Sequence, residues 1–301
     1  MNHSAPEPNS HVIRFIQAGK HRVCYAEGGV DIPNGTLGSK PRVLLLHGWI
    51  SSHHVYRECW ADLGEIARYC ALDLVGFGES DKPSPKDVPY DPNWYCEQLK
   101  AFVDAIDWDN FILIAHSMGG VVATEFAIAH PQLVDRLILI DSVGIPQPPP
   151  LLGRILQLPF VGSLLFQLLA GTRKSLREFL VKDVWYSKPV VEEAVLGDMY
   201  RSINSPGGKE AAYASMMQMT SPRAVRAFTH RFSALRTKTH LIWGDHDKLF
   251  PLDACGLAIQ KLIPGATLDV IKDSGHEPQV EAPDQFLRIL RKTLQSYRFS
   301  R

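Results

Sequence analysis

The chain predicts an α/β fold: a mostly parallel sheet of roughly eight strands, helices on both faces and one inserted helical segment. Three observations predict it. Short apolar runs recur between segments with helical periodicity. Most of those runs are apolar throughout rather than alternating, as strands of a sheet covered on both faces are. The alternation stops between residues 143 and 235 and then resumes, which marks an insertion into one core.

The elements follow in order. Two β-like runs, Val12–Gln17 and Arg22–Ala26, lead into Gly28 to Pro41, whose Gly, Pro, Asn and Ser content reads as a surface loop. Val43–Leu46 is an apolar run ending at His47-Gly48. A helical pattern from about Val55 to Arg68 and a short run at Tyr69–Asp73 complete a β-α-β unit. The rhythm continues with a helix over Asn93–Ile106, a strand at Phe111–Ala115, a helix from Met118 to Ala129 and a strand at Leu137–Ile140. From Val143 to Leu235 only helical patterns, prolines and glycines remain. The sheet resumes at Thr239–Trp243, followed by a helix over Leu252–Leu262, a strand at Thr267–Ile271 and a last helix from Asp284 to about Tyr297. The core domain is therefore expected over residues 1–142 and 236–301, with the insertion over 143–235.

Composition narrows the function classes. The 301 residues include 32 basic and 32 acidic side chains, so no net positive field points to nucleic acid. Five cysteines (Cys24, Cys59, Cys70, Cys96, Cys255) form an odd set without CxxC spacing, which argues against a disulfide framework and a structural zinc site. His53 with His54 and His240 with His246 lack acidic or cysteine partners at ligand spacing, so no metal is expected. The polar start, Met1 to Ser10, has no apolar segment of a signal peptide, and no run of apolar residues is long enough to span a bilayer. The expectation is a cytoplasmic protein without stable membrane insertion, monomeric or homodimeric, that works on a small molecule.

The chemistry centres on Ala115-His116-Ser117-Met118-Gly119-Gly120, where an apolar strand gives way to a helix. A serine on a sharp strand-to-helix turn takes a strained backbone, which requires small residues two before and two after it. The usual signature is G-x-S-x-G; here Ala115 holds the first glycine position. The turn aims the first amides of the helix at the reaction centre, so the Met118 N–H can donate to a developing oxyanion. A second donor is expected from Leu46-His47-Gly48-Trp49, as the backbone N–H of Trp49. A serine hydroxyl needs a histidine to take its proton and a carboxylate to fix the histidine tautomer. His276, in Gly275-His276-Glu277-Pro278, lies just past the last strand at the carboxyl edge that Ser117 shares. The loop after the preceding strand, Trp243-Gly244-Asp245-His246-Asp247, offers Asp245 and Asp247 as the acid.

His47-Gly48-Trp49, Ala115 to Gly120, Trp243-Gly244-x-x-Asp247 and Gly275-His276 together resemble the α/β-hydrolase superfamily, in its serine order Ser, Asp, His. The resemblance covers nearly the whole chain except the insertion. It implies that Asp247 is the triad acid and Asp245 a loop-shaping residue; Asp141 is the other candidate, because some relatives place the acid after that strand. Asp73-Leu74-Val75-Gly76-Phe77-Gly78-Glu79-Ser80 resembles the family's D-x-x-G-x-G-x-S turn and is expected to be structural, with His47 and His116 as braces. Met216, Met217 and Met219 could line a pliable pocket, but packing in the core is the expected use.

In such proteins the insertion forms a cap over the nucleophile, and here its first part is dominated by apolar residues, from Leu151 to Phe166. Trp49, Met118, Val143 and Leu249 are the residues expected to touch substrate. A serine nucleophile disfavours dehalogenases and epoxide hydrolases. Hydrolases of meta-cleavage products, which split carbon–carbon bonds, share the Ser-Met-Gly-Gly run but typically carry tryptophan after the catalytic histidine, where this chain has Glu277. The resemblance thus implies a cofactor-free carboxylesterase acting on acyl or aromatic esters. Carbon–carbon hydrolysis is the alternative; thioester, lactone or peroxide chemistry would use the same apparatus. A small-molecule receptor on the same fold is the non-enzymatic alternative.

Overall fold

The computed structural model describes residues 11–29, 40–148, 151–158, 161–187 and 191–298. The predicted polar start, most of the Gly28–Pro41 loop, Pro149 and Pro150 lie outside the described residues. Within them β1 (Val12–Ala18), β2 (His21–Gly28), β3 (Arg42–Leu46), β4 (Arg68–Leu72), β5 (Phe111–His116), β6 (Val134–Ile140), β7 (Thr239–Gly244) and β8 (Thr267–Ile271) form one 8-stranded sheet in the order β1-β2-β4-β3-β5-β6-β7-β8. β2 pairs antiparallel with β1 and β4, and every other neighbouring pair is parallel.

Burial follows the predicted pattern. All six residues of β5 and all six of β7 are buried, which a strand achieves only with cover on both faces. The edge strand β1 is exposed at most positions. The covering helices of the core are α1 (Trp60–Ile66), α2 (Pro92–Ala105) and α3 (Met118–Ala129). The insertion contributes α4 (Leu151–Leu156), α5 (Val161–Leu169), α6 (Arg173–Phe179), α7 (Glu193–Asn204), α8 (Gly208–Ser215) and α9 (Pro222–Thr229). The chain then returns to the core with α10 (Leu257–Leu262), α11 (Pro278–Glu281) and α12 (Pro283–Arg298). α2 packs on α3 and α1 on α12. α2 begins where the Asp91 carboxylate accepts from Trp94 N at 2.8 Å and Pro92 needs no donor partner.

Between β6 and β7 the described residues contain helices and no strand. Two expected helices differ in detail. The Val55–Arg68 pattern resolves into a 3₁₀ segment at His53–Cys59 and α1, which ends at Ile66 because Ala67 is extended and Arg68 N turns to Pro41 O at 3.0 Å and opens β4. The Leu252–Leu262 helix starts with a π turn at Leu252–Gly256. No helix among the described residues is long and apolar enough to cross a membrane.

The register aligns the strand ends. Leu46 lies beside Ala115, His116 beside Ile140, Ile140 beside Ile242, and Gly244 beside Ile271. The loops holding Trp49, Ser117, Asp141, Asp247 and His276 therefore leave the sheet at one carboxyl edge.

Candidate active site

Ser117 joins β5 to α3 with φ 53° and ψ −119°, a conformation that costs a non-glycine residue about 1–3 kcal/mol. Crowding sets the small neighbours. A Cβ on Gly119 would lie 2.5 Å from His47 O, one on Gly120 would lie 2.1 Å from Ser142 Oγ, and one on Gly48 would lie 3.0 Å from Ser117 Cβ. The loop after β3 is thus pressed against the serine turn. The N–H groups of Trp49 and Met118 are not engaged by another backbone group among the described residues. Both expected donors flank the serine, one on each side of this contact.

The three side chains expected to work together are brought together. Ser117 Oγ is 2.9 Å from His276 Nε2, and His276 Nδ1 is 2.8 Å from Asp247 Oδ2, with all three residues buried. The other Asp247 oxygen accepts from Leu249 N at 2.8 Å and Phe250 N at 3.0 Å, which fixes the carboxylate plane. With Nδ1–H donating to Asp247, Nε2 is left to accept from the serine hydroxyl. Burial alone would push the His276 imidazole down, but the Asp247 charge and hydrogen bond, aided by Glu277 and Glu281, raise it above its ordinary 6.5.

The alternative acid stands behind the first. Asp141 follows β6, is completely buried, and accepts from Gly244 N at 3.1 Å. Asp141, Asp247 and His276 place one polar atom each within 4.8 Å of one another. It is Asp247 that meets the imidazole; burial and then the Asp247 charge push the Asp141 carboxyl well above the usual carboxylate range. Asp245 shapes the loop as expected: Oδ1 accepts from Ser274 N at 3.3 Å and lies 2.7 Å from His246 Nδ1.

The predicted braces are in place. His47 Nδ1–H donates to Gly48 O at 2.7 Å while Nε2 accepts from Leu74 N at 3.0 Å; burial lowers its pKa to about 4 and keeps it neutral. His116 Nε2–H donates to His276 O at 2.8 Å, so it braces the His276 backbone. Asp73 is enclosed by its own glycine turn, accepting from Glu79 N at 2.8 Å, and from His53 N at 2.7 Å and His53 Nδ1 at 2.8 Å. His240 Nδ1 lies 2.6 Å from Thr267 Oγ1.

A cavity of about 700 Å³ opens over Ser117 and His276, walled by both core and insertion. Trp49, Val143 and Leu249 line it as expected. The Met118 side chain does not: at the first position of α3 it is buried in the core with no exposure. Met216 and Met217 line the cavity; of these three methionines Met219 alone packs in the core. They sit on a π turn, Met216–Thr220, and a second π turn, Leu180–Val184, forms another part of the wall. Such widened turns displace side chains from the regular helical face, which periodicity does not reveal.

Sequence reasoning also missed how the insertion is joined to the base. His276 N donates to Val184 O at 2.8 Å, and Trp185 Nε1 donates to Glu277 Oε2 at 2.7 Å. One Glu281 oxygen accepts from Gly275 N at 2.9 Å and the other from Tyr186 N at 2.7 Å and Ser187 N at 2.8 Å. Apart from Gly275 and Glu281, these partners lie some ninety residues apart in the chain, and no local signal links them.

Comparison with known proteins agrees with the fold. Residues 41–283 match the family model described as alpha/beta hydrolase fold. The chain is 28% identical over 268 residues to an uncharacterized protein of Mycobacterium tuberculosis, covering 85% of this chain and 75% of that one. It is 26% identical over 282 residues to a 2-hydroxy-6-oxo-2,4-heptadienoate hydrolase of Pseudomonas putida, covering 87% and 92%. Among solved structures, a bacterial membrane phospholipase A superposes with a TM-score of 0.74 at 24% identity, covering 97% of this chain and 88% of that one.

Proposed function

Because the chain belongs to the alpha/beta hydrolase fold family, we propose that it is a serine hydrolase of carboxylic esters with an apolar acyl group, the segment 143–235 serving as its cap. The observation that carries this reading is the Ser117–His276–Asp247 hydrogen-bond chain at the floor of the 700 Å³ cavity.

Ser117 Oγ attacks the ester carbonyl while His276 Nε2 takes its proton; Asp247 stabilises the imidazolium. The carbonyl oxygen becomes an oxyanion held by the Met118 and Trp49 amides. Collapse expels the alcohol, which leaves with the proton from His276, and Ser117 carries the acyl group. Water then gives its proton to His276, attacks the acyl carbonyl and releases the acid, and the proton returns to Ser117.

The walls favour a neutral substrate. Ile145, Leu156, Phe179, Leu180 and Val225 contribute hydrocarbon, and no arginine lines the cavity among the described residues. Its charged groups are Asp183, Glu277 and Lys248, and the Lys248 ammonium donates to Lys182 O at 3.1 Å. An acyl chain fits such a lining better than a substrate carboxylate does.

The second reading, hydrolysis of a carbon–carbon bond, is favoured by the Pseudomonas putida relative, whose name specifies a dienoate substrate. One assay separates them: p-nitrophenyl esters of short, medium and long acyl chains, and a 2-hydroxy-6-oxo-dienoate, each with wild type and Ser117→Ala. Ester turnover that Ser117→Ala lowers by about 10⁴-fold or more supports the esterase. Silence on every ester with turnover of the dienoate transfers the same apparatus to the second reading.

A further inference from the structure

α5 presents its apolar face outward. Gly162 and Phe166 are its buried residues, whereas Val161, Leu164 and Leu168, which share one face at helical spacing, are 54%, 64% and 68% exposed. Leu158 before the helix and Leu169 at its end are also half exposed. Isolated exposed leucines are ordinary; five such side chains within residues 158–169 form a patch.

The stretch of chain that carries the patch has charge of one sign. From Ser142 to Arg177 the sequence contains no Asp or Glu, and its charged residues are Arg154, Arg173, Lys174 and Arg177. Residues 143–235 carry 11 Lys and Arg against 6 Asp and Glu, while the whole chain has 32 of each, so the insertion is positive and the remainder negative. Glu193 reaches back to pair with Arg173 and Arg177, and Lys174 stays exposed. Behind the patch, the Phe166 ring lies 6.1 Å from the Trp49 ring, and Trp49 and Leu156 line the cavity. The outer patch and the cavity wall are two sides of the same pair of helices.

We propose that the α4–α5 face of the insertion docks onto an anionic lipid surface, the α5 leucines entering the acyl boundary and the neighbouring basic side chains meeting phosphate groups. A second copy of the chain is a poorer occupant, since a self-paired face would bring two positive insertions together, whereas an anionic bilayer neutralises them. Docking is independent of the reaction at Ser117. Where the esterase reading holds, it sets the cavity beside a reservoir of acyl esters.

The test uses the full chain as Ser117→Ala, so that no lipid is consumed, in co-sedimentation with vesicles of phosphatidylcholine alone or mixed equally with phosphatidylglycerol. The expected result is binding to the mixed vesicles that weakens with added salt and falls about tenfold or more in Leu164→Ser/Leu168→Ser. Lys174→Glu should weaken binding to the mixed vesicles alone. The leucine variant, whose altered side chains are mostly in water, should keep the parent's thermal transition. Absence of binding to mixed vesicles overturns the proposal, as does binding that the leucine variant retains or that ignores both salt and phosphatidylglycerol. So does a dimer, seen by light scattering, that the leucine variant dissociates while vesicles capture nothing. Failure of the esterase reading leaves the vesicle result unchanged, because that readout requires no turnover.

Discussion

Asp141 and Asp247 set two carboxyl groups against one imidazole, and two such neighbours in a buried site do not both ionise. Asp247 carries the charge because the amides of Leu249 and Phe250 and the ring of His276 converge on it; Asp141 keeps its proton. An unfolded chain releases that proton near the ordinary 3.8, so the folded state loses stability as pH rises from there toward the raised pKa. Asp141→Asn preserves a neutral donor and has no proton to lose. Its unfolding free energy relative to wild type should rise with pH by on the order of 1 kcal/mol per unit above pH 4, read from urea titrations across that range. A constant difference would mean that Asp141 is ionised in the fold. His276 gives the complementary expectation. It accepts the serine proton only when neutral, and its pKa is raised, so the acid limb of kcat/KM should fall above pH 6.5 and move toward the ordinary value in Asp247→Asn, which should also lose about 10⁴-fold in kcat. Ser117, His276 and Asp247 were legible because each stands at a fixed offset from the end of an apolar run. The role of Asp141 was not, because it depends on how the loops after β6 and β7 meet.

At the scale of elements, the strands were readable and the insertion was readable only as helical. β5 and β7 are buried at every position because both faces are covered, and the apolar runs Phe111–Ala115 and Leu241–Trp243 carry that burial into the sequence. The π turns at Leu180–Val184 and Met216–Thr220 leave no such trace, so Met216 and Met217 were expected in the core and line the cavity instead. The same blindness applies to Glu281. Its carboxylate joins the peptide before His276 to the Tyr186 and Ser187 amides of the insertion. Hydrogen bonds to a charged group contribute about 1.5–3 kcal/mol each, and removing the shared acceptor leaves amides unpaired. Glu281→Ala should therefore lower stability by about 2–4 kcal/mol and kcat by more than KM changes, since the base loses its support while the cavity walls remain. Denaturant melts with steady-state kinetics on one soluble ester check both. A stable variant with unaltered kcat would show that Val184 O and His116 hold the base without it.

At the scale of the whole molecule, the loops at the sheet edge hold Ser117, Asp247 and His276 together, and the segment between β6 and β7 supplies most of the cavity wall. The break in β-α alternation between residues 143 and 235 could be read from the sequence, but the size of the space beneath that segment could not, since it depends on helix packing rather than on periodicity. Met216 reaches the cavity from the insertion, whereas Ser117 and His276 reach it from the sheet edge. A bulkier side chain there should therefore occlude the acyl end of the cavity and leave the carbonyl site open. Each methylene denied a place in an apolar wall forfeits about 0.8 kcal/mol, roughly a fourfold loss in kcat/KM. Met216→Trp should leave turnover of an acetyl ester within about twofold of wild type while medium and long chains decline by about fourfold for each excluded methylene. The measurement is kcat/KM against chain length. A uniform decline across all chains would place Met216 at the carbonyl instead, and an unchanged profile would mean that the acyl chain leaves Ser117 in another direction.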